Sequence, residues 1–172
     1  MKIYVGGAGS SSLINELGKI VTEVNGIATD GFSIEVVSDS LRSNFYIYLG
    51  SADEYAAIYP SLSELVKTNW GLFSVKYNGA NELDQGNMYV DIYRADLTEQ
   101  KHLLREELTQ SLGLGNDSEK YGDSIFQSSW TRTNSYAPID ADLIELLYHP
   151  KVTIGLDAAQ VDQLLGQILL ED

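Results

Sequence analysis

Two periodicities of apolar residues run through the chain, one typical of strands and the other of helices. Alternating apolar and polar residues predict strands, because successive strand side chains point to opposite faces of a sheet. Such stretches are found at residues 2–7, 32–38, 44–50, 72–78 and 87–93. In the second stretch we expect Phe32, Ile34 and Val36 on one face, and only Val37 disturbs the alternation.

Apolar residues spaced three and four apart predict helices in the remaining segments. The first helical segment begins at Ser10 and ends at Gly26, which are typical start and stop residues. Further helices are predicted at residues 52–59 (ended by Pro60), 98–112, 140–150 and 156–170. The order β-α-β-β-α-β-β-α, followed by loops and helices, predicts an α+β fold with a mixed five-stranded sheet. We interpret residues 1–172 as a single domain with halves at 1–113 and 114–172.

Composition and charge exclude several classes of protein. The net charge of −14, from 11 basic and 25 acidic residues, argues against a nucleic-acid partner, which requires clustered Lys and Arg. The absence of cysteine excludes disulfides and thiolate chemistry. No apolar run reaches the ~20 residues of a transmembrane helix, so no transmembrane segment is predicted.

The helix at 98–112 carries the candidate chemistry. Its buried face is predicted to contain Leu104, Leu108 and Leu112. The opposite, polar face contains Glu106, Gln110 and Gly113, with Glu107 on its flank. Adjacent residues of a helix point about 100° apart, so we expect Glu106 and Glu107 not to share a site.

The stretch EELTQSLGLGND, residues 106–117, resembles the extended zinc-binding motif of metzincin peptidases, His-Glu-x-x-His-x-x-Gly-x-x-His. The glutamate and the glycine of the motif are matched, whereas all three histidines are replaced. GDSIFQ at residues 122–127 resembles the Met-turn, with Phe126 in the place of methionine, and residues 138–150 resemble the closing helix of matrixins. The chain is therefore similar to zincin-fold, metzincin-like domains. It also resembles an uncharacterised family of exported bacterial proteins with the same EELTQ-LGL-ND…SIF signature.

The resemblance implies a role for each matched position. Glu107 corresponds to the general base, and Gly113 and Phe126 correspond to residues that support the groove. The ligand positions fall on Glu106, Gln110 and Asn116 or its neighbour Asp117. Zinc favours imidazole and thiolate ligands, and one carboxylate with two amides is a poor zinc site. Without a metal to lower the pKa of water from about 15.7 toward 7, Glu107 cannot produce a useful hydroxide.

We therefore expect a degenerate metzincin homologue, a pseudo-enzyme without standard zinc peptidase activity. We expect no cofactor, although the alternative is zinc or another divalent ion at these positions. The retained groove is expected to bind a peptide or protein, with the edge strand at residues 72–77 pairing with an extended chain. The resemblance also implies a secreted or cell-envelope protein whose leader is absent from this sequence.

Two other functions are left open by the sequence. The first is an atypical metal-dependent peptidase or hydrolase with Glu107 as general base. The second is a structural interaction module of the cell envelope. His102, four residues before Glu106, could lend a nitrogen to an atypical site or form a solvated contact within the helix. His149 is expected to cap a helix end, and with two histidines in the chain a site with three is excluded.

Overall fold

A five-stranded mixed sheet and five α-helices make up the fold, as seen in a computed structural model in which residues 1–170 are described. The strands are β1 (Lys2–Gly7), β2 (Glu35–Val36), β3 (Phe45–Gly50), β4 (Gly71–Tyr77) and β5 (Leu83–Asp91). Their order across the sheet is β2-β1-β3-β5-β4. The first four in this order run parallel, and β4 pairs with β5 in the antiparallel direction at one edge. The predicted α+β class with a mixed sheet is confirmed.

The helices begin at residues that cap them. They are α1 (Ser11–Ile27), α2 (Ala52–Ile58), α3 (Leu97–Gln110), α4 (Pro138–Leu147) and α5 (Ala158–Ile168). The Ser10 side chain accepts a hydrogen bond from Leu13 N at the start of α1. Asp96 and Glu99 form a reciprocal capping box at the start of α3, which satisfies backbone N–H groups that the helix itself leaves unpaired. No helix among residues 1–170 is long and apolar enough to cross a bilayer.

The two faces of the sheet are covered differently. On one face α1 and α3 pack over the strands, and apolar side chains of both helices and the sheet form the main core. The other face is rich in tyrosine and is covered by α2, with Tyr55 stacked on Tyr89 at 4.9 Å between ring centroids. The alternating tyrosines of the sequence therefore form the second layer of packing.

The second strand departs from the prediction. It pairs with β1 over two residues only, and Val36 is 48% exposed whereas Ile34 and Val37 are buried. The prediction that Phe32, Ile34 and Val36 lie on one face is therefore wrong. The segment has a neighbour on one side only, and Val37 N donates to Ile3 O just after the short pairing, which directs the Val37 side chain into the core.

A buried arginine fixes the position of α3. Arg105 Nη2 donates to Glu16 Oε1 of α1 at 2.8 Å, and Arg105 Nη1 also pairs with Glu23. The guanidinium carbon lies 4.6 Å from the centre of the Tyr136 ring. These contacts attach one side of α3 to α1, so the helix presents its other side, with Glu106 and Glu107, away from α1.

Candidate functional site

A cleft of about 670 Å³ is bounded by α3, the first residue of β4 and the loop at residues 127–130. Four acidic side chains contribute to its lining: Glu99, Glu106, Glu107 and Asp117. Gln110 and His102 also face it. The polar side of α3 is therefore the floor of a cleft, which is within the size range of ligand pockets, about 300–1,000 Å³.

Arg94 holds the rim of the cleft in place. Its guanidinium group donates to the carbonyl oxygens of Val66, Lys67 and Asn69 at 2.8 to 3.1 Å. Its Nε donates to Asp91 Oδ2 at 2.5 Å, at the end of β5. The turn that precedes β4 is thereby attached to the sheet, and the residues that follow it enter the cleft in a defined position.

His102 and Glu106 form a buried pair on the floor. His102 Nδ1 lies 2.8 Å from the carbonyl oxygen of Thr133, which can only accept, so Nδ1 carries a hydrogen. His102 Nε2 lies 3.3 Å from Glu106 Oε2. Burial lowers the pKa of His102, so the ring is neutral and Nε2 is an acceptor. A protonated Glu106 satisfies it. The alternative of a solvated contact is wrong, because the His102 side chain is only 3% exposed.

Glu107 lies against the edge strand. A β-carbon on Gly71 would be 2.7 Å from Glu107 Oε1 and 2.9 Å from Leu103 Cδ2, so only glycine permits this approach without displacement. Among residues 1–170 no side chain or backbone group forms a hydrogen bond with the Glu107 carboxyl group. Its oxygens are therefore available to a ligand in the cleft.

The two glutamates share the cleft and influence each other. Burial and the charge of Asp117 raise the pKa of Glu106 to about 8. Burial, followed by the charges of Glu106 and Asp117, raises the pKa of Glu107 to about 8. The expectation that adjacent helix residues do not share a site is wrong here. The helix runs along the floor, so side chains on either flank reach the same cleft, and both carboxyl groups hold protons at neutral pH.

The remaining predicted residues divide between the cleft and a second hollow. Gln110 Nε2 donates to Asp117 Oδ1 at 2.6 Å, which joins the end of α3 to the following loop inside the cleft. Asn116, Gly113 and Phe126 instead line a separate hollow of about 450 Å³. Gly113 has a φ of 130°, a conformation that favours glycine at the turn after the helix.

A buried aspartate supports the turn that contains Phe126. Asp140 of α4 is fully buried and accepts from Ser124 Oγ at 2.5 Å, Ile125 N at 3.0 Å and Ala137 N at 2.8 Å. These bonds connect the start of α4 to the turn at residues 124–126. The turn is therefore fixed to the start of α4. Phe126 within it is buried, with 4% of its surface exposed.

The side chains of the cleft do not fit a catalytic zinc site of the kind that the metzincin resemblance implies. Of the ligand-position residues, Asn116 lines the second hollow and the Gln110 amide is engaged by Asp117. The one imidazole on the floor uses Nδ1 for a backbone carbonyl and directs Nε2 at Glu106. The cleft therefore offers carboxyl and amide oxygens in the places where a catalytic zinc site has imidazoles.

The sequence pattern did not indicate that either tryptophan of the chain, Trp70 or Trp130, belongs to this site. Both line the cleft, and their ring centroids are 5.7 Å apart with the planes at 77°. Trp130 also contacts the ring of His102 edge to face at 6.1 Å. Trp130 lies in a loop without a periodic pattern, so only the rarity of tryptophan could have drawn attention to it in the sequence.

The edge of β4 that faces away from β5 has unpaired backbone groups. Asp91 N donates to Trp70 O, and in an antiparallel ladder alternate residues direct their backbone groups to the same side. Gly71, Phe73 and Val75 therefore point their N–H and C=O groups outward from the sheet. This open edge begins at the residue that contacts Glu107.

These features define a mixed α+β protein with an acidic, tryptophan-lined cleft beside an open sheet edge. Residues 1–167 match the family described as "Protein of unknown function (DUF2927)". The chain belongs to this family, and the match extends over the sheet, the cleft and all five helices except the last residue of α5. No curated protein matches the chain.

Proposed function

We propose that this protein is a metzincin-like, zincin-fold domain that binds an extended peptide segment along β4 and lacks ordinary zinc peptidase activity. The observation that carries the proposal is the open edge of β4, which begins at Gly71 in contact with Glu107. A peptide that adds to this edge would pass directly over the cleft.

The backbone of β4 supplies the affinity in this proposal. Gly71, Phe73 and Val75 offer outward N–H and C=O groups at every second residue, which is the pattern that a peptide strand requires. Binding by strand addition depends on main-chain hydrogen bonds and is tolerant of side-chain sequence. The cleft would then distinguish one peptide from another.

The two protonated glutamates suit this role. A carboxyl group with a pKa of about 8 is a hydrogen-bond donor at pH 7, so Glu107 can donate to a polar group of a bound chain, while the proton of Glu106 is directed at His102 Nε2. The sheet order, with four parallel strands and an antiparallel edge strand before the helix, supports the zincin-like assignment. A secreted or cell-envelope location belongs to the same proposal and rests on the family resemblance.

Peptides with single N-methylated bonds test strand addition. N-methylation removes one amide donor, so binding to β4 should weaken at alternate peptide positions and stay nearly unchanged at the positions between them. Fluorescence anisotropy of labelled valine- and threonine-rich hexapeptides measures this. A Val75→Pro variant, which removes an outward donor of β4, should weaken the same peptides. Loss without a two-residue period, or no binding of any peptide, would contradict the proposal.

Peptidase activity is tested separately on untagged protein. We expect no cleavage of denatured casein and no stoichiometric transition metal by elemental analysis. Cleavage that is abolished both by chelator and by Glu107→Gln would overturn this part of the proposal and favour the atypical metal-dependent hydrolase. Peptide binding measured on the same preparation shows whether the groove is functional in either case.

A further inference from the structure

The mouth of the cleft is aromatic. Trp130 is 56% exposed and Trp70 is half-buried, and their rings meet at the rim above α3. Solvent-exposed tryptophan faces at the mouth of an acidic cleft attract cations, because the face of an aromatic ring carries negative charge. Tryptophan is also the aromatic residue that binds cations best.

The interior of the cleft is rich in carboxyl groups. Its lining includes Glu99, Glu106, Glu107 and Asp117, and within the described part of the chain no lysine or arginine contributes to that lining. His102, the one basic side chain of the lining, has both ring nitrogens engaged, Nδ1 by the Thr133 carbonyl oxygen and Nε2 by Glu106. No cationic side chain of the lining therefore offsets the charge that these carboxyl groups develop when they ionise.

Glu107 is the side chain that lacks a partner. It lies against Gly71 and faces the cleft, and its carboxyl group forms no hydrogen bond with any residue in 1–170. A carboxyl group in a cleft without a hydrogen-bond partner in the protein can accept charge-assisted hydrogen bonds from a cationic ligand.

We propose, on the basis of the peptide-binding function, that the cleft binds a lysine or arginine side chain of the bound peptide. The aliphatic stem lies against the exposed face of Trp130, beside Trp70, and the cationic group reaches Glu107 and Asp117. Arginine suits this environment because its planar guanidinium stacks on aromatic rings and forms paired hydrogen bonds with carboxylates. The cleft of about 670 Å³ accommodates such a side chain.

A series of matched peptides tests the assignment. The hexapeptide acetyl-Thr-Val-Xaa-Val-Thr-Val-amide is prepared with Xaa as arginine, lysine, citrulline, norleucine or glutamate, and with Xaa moved to each neighbouring position. Citrulline has the shape of arginine without its charge. We expect arginine and lysine peptides to bind at least about tenfold more tightly than citrulline and norleucine peptides, and the glutamate peptide to bind least.

Variants locate the effect. Glu107→Gln should reduce the ratio of arginine to citrulline affinity to near one, whereas Glu119→Gln, at an exposed glutamate outside the cleft, should leave it unchanged. Trp130→Ala should weaken the arginine peptide by about threefold to tenfold. Tyr93→Ala, at an aromatic residue that is 68% exposed and outside the lining, is its control.

The outcomes separate this inference from the proposed function. Equal affinity of arginine and citrulline peptides overturns the basic side-chain assignment and leaves strand addition intact. If no hexapeptide binds, N-acetyl-arginine amide is titrated alone with tryptophan fluorescence as the readout. Saturable quenching that Glu107→Gln abolishes supports the cation site and contradicts strand addition. If neither a hexapeptide nor N-acetyl-arginine amide binds, strand addition and the cation site are both overturned. Tighter binding of a neutral oligosaccharide than of N-acetyl-arginine amide also overturns the cation site.

Discussion

The pH dependence of folding provides a direct test of the environment of Glu107. In an unfolded chain this carboxyl group ionises near its usual pKa of 4.5, whereas in the folded protein the pKa is raised to about 8. Between these pH values the folded state holds a proton that the unfolded state has lost. The free energy of unfolding therefore decreases as the pH rises. The contribution is complete below pH 4.5 and is lost by about pH 8.

The magnitude follows from the same two pKa values. Each tenfold change in proton affinity corresponds to about 1.4 kcal/mol, so a pKa raised from 4.5 to about 8 corresponds to about 5 kcal/mol at pH 8. The cleft is open to water, which screens the charge, so we expect about 1–3 kcal/mol in practice. Glu107→Gln removes the ionisation and should match wild type near pH 5 but exceed its free energy of unfolding near pH 8.5.

Urea unfolding followed by far-ultraviolet circular dichroism at several pH values between 5 and 9 measures this difference. Comparison of variant with wild type removes the contribution of the overall charge, which is shared by both. Glu119→Gln, at an exposed glutamate, should follow wild type at every pH. If Glu107→Gln also follows wild type throughout, the carboxyl group ionises freely in the folded protein, and the cleft does not raise its pKa.

Three further substitutions test the supports of the cleft. Gly71→Ala places a β-carbon 2.7 Å from Glu107 Oε1, at the end of a side chain that can move, and should lower the free energy of unfolding by at most about 1 kcal/mol, less in combination with Glu107→Ala, as a double-mutant cycle would measure. Arg94→Lys loses most of the bonds to backbone carbonyls and should cost about 2 kcal/mol with a shift in Trp70 fluorescence. Asp140→Asn replaces a buried acceptor of three hydrogen bonds and should cost at least about 2 kcal/mol by urea unfolding.

The regular elements of the fold could be predicted because their signals are local. Helix α1 begins after Ser10, whose side chain caps it, and the periodic apolar residues of α1 and α3 belong to the core, except Ile14, which is 46% exposed. The short second strand could not be predicted. Strand β2 pairs with β1 over two residues only, and the Val37 side chain after it turns into the core. This change of direction depends on contacts with β1, so no periodic pattern in the sequence indicates it.

The candidate site was predictable in its helix and not in its surroundings. Helical spacing indicated that Glu106 and Gln110 lie on one side of α3, and both line the cleft. Helical spacing predicts the direction of each side chain around the helix axis but not the width of the cleft beside it. The prediction that Glu106 and Glu107 do not share a site was therefore wrong. His102 was expected in solvent or at an atypical site, and its burial depends on the Thr133 carbonyl, 31 residues along the chain.

The arrangement of the cleft lowers the stability of the free protein in favour of ligand binding. Two neighbouring carboxyl groups whose pKa is raised reduce the stability of the fold near neutral pH, and a site with no ligand gains nothing from them. The Arg105 and Arg94 networks lie on either side of this region and attach α3 and the rim to the rest of the protein. A rigid frame of this kind allows Glu106 and the unpartnered Glu107 to persist side by side in an open cleft. A cation that enters the cleft would pair with those groups, so the stability lost in the free protein is regained as binding energy.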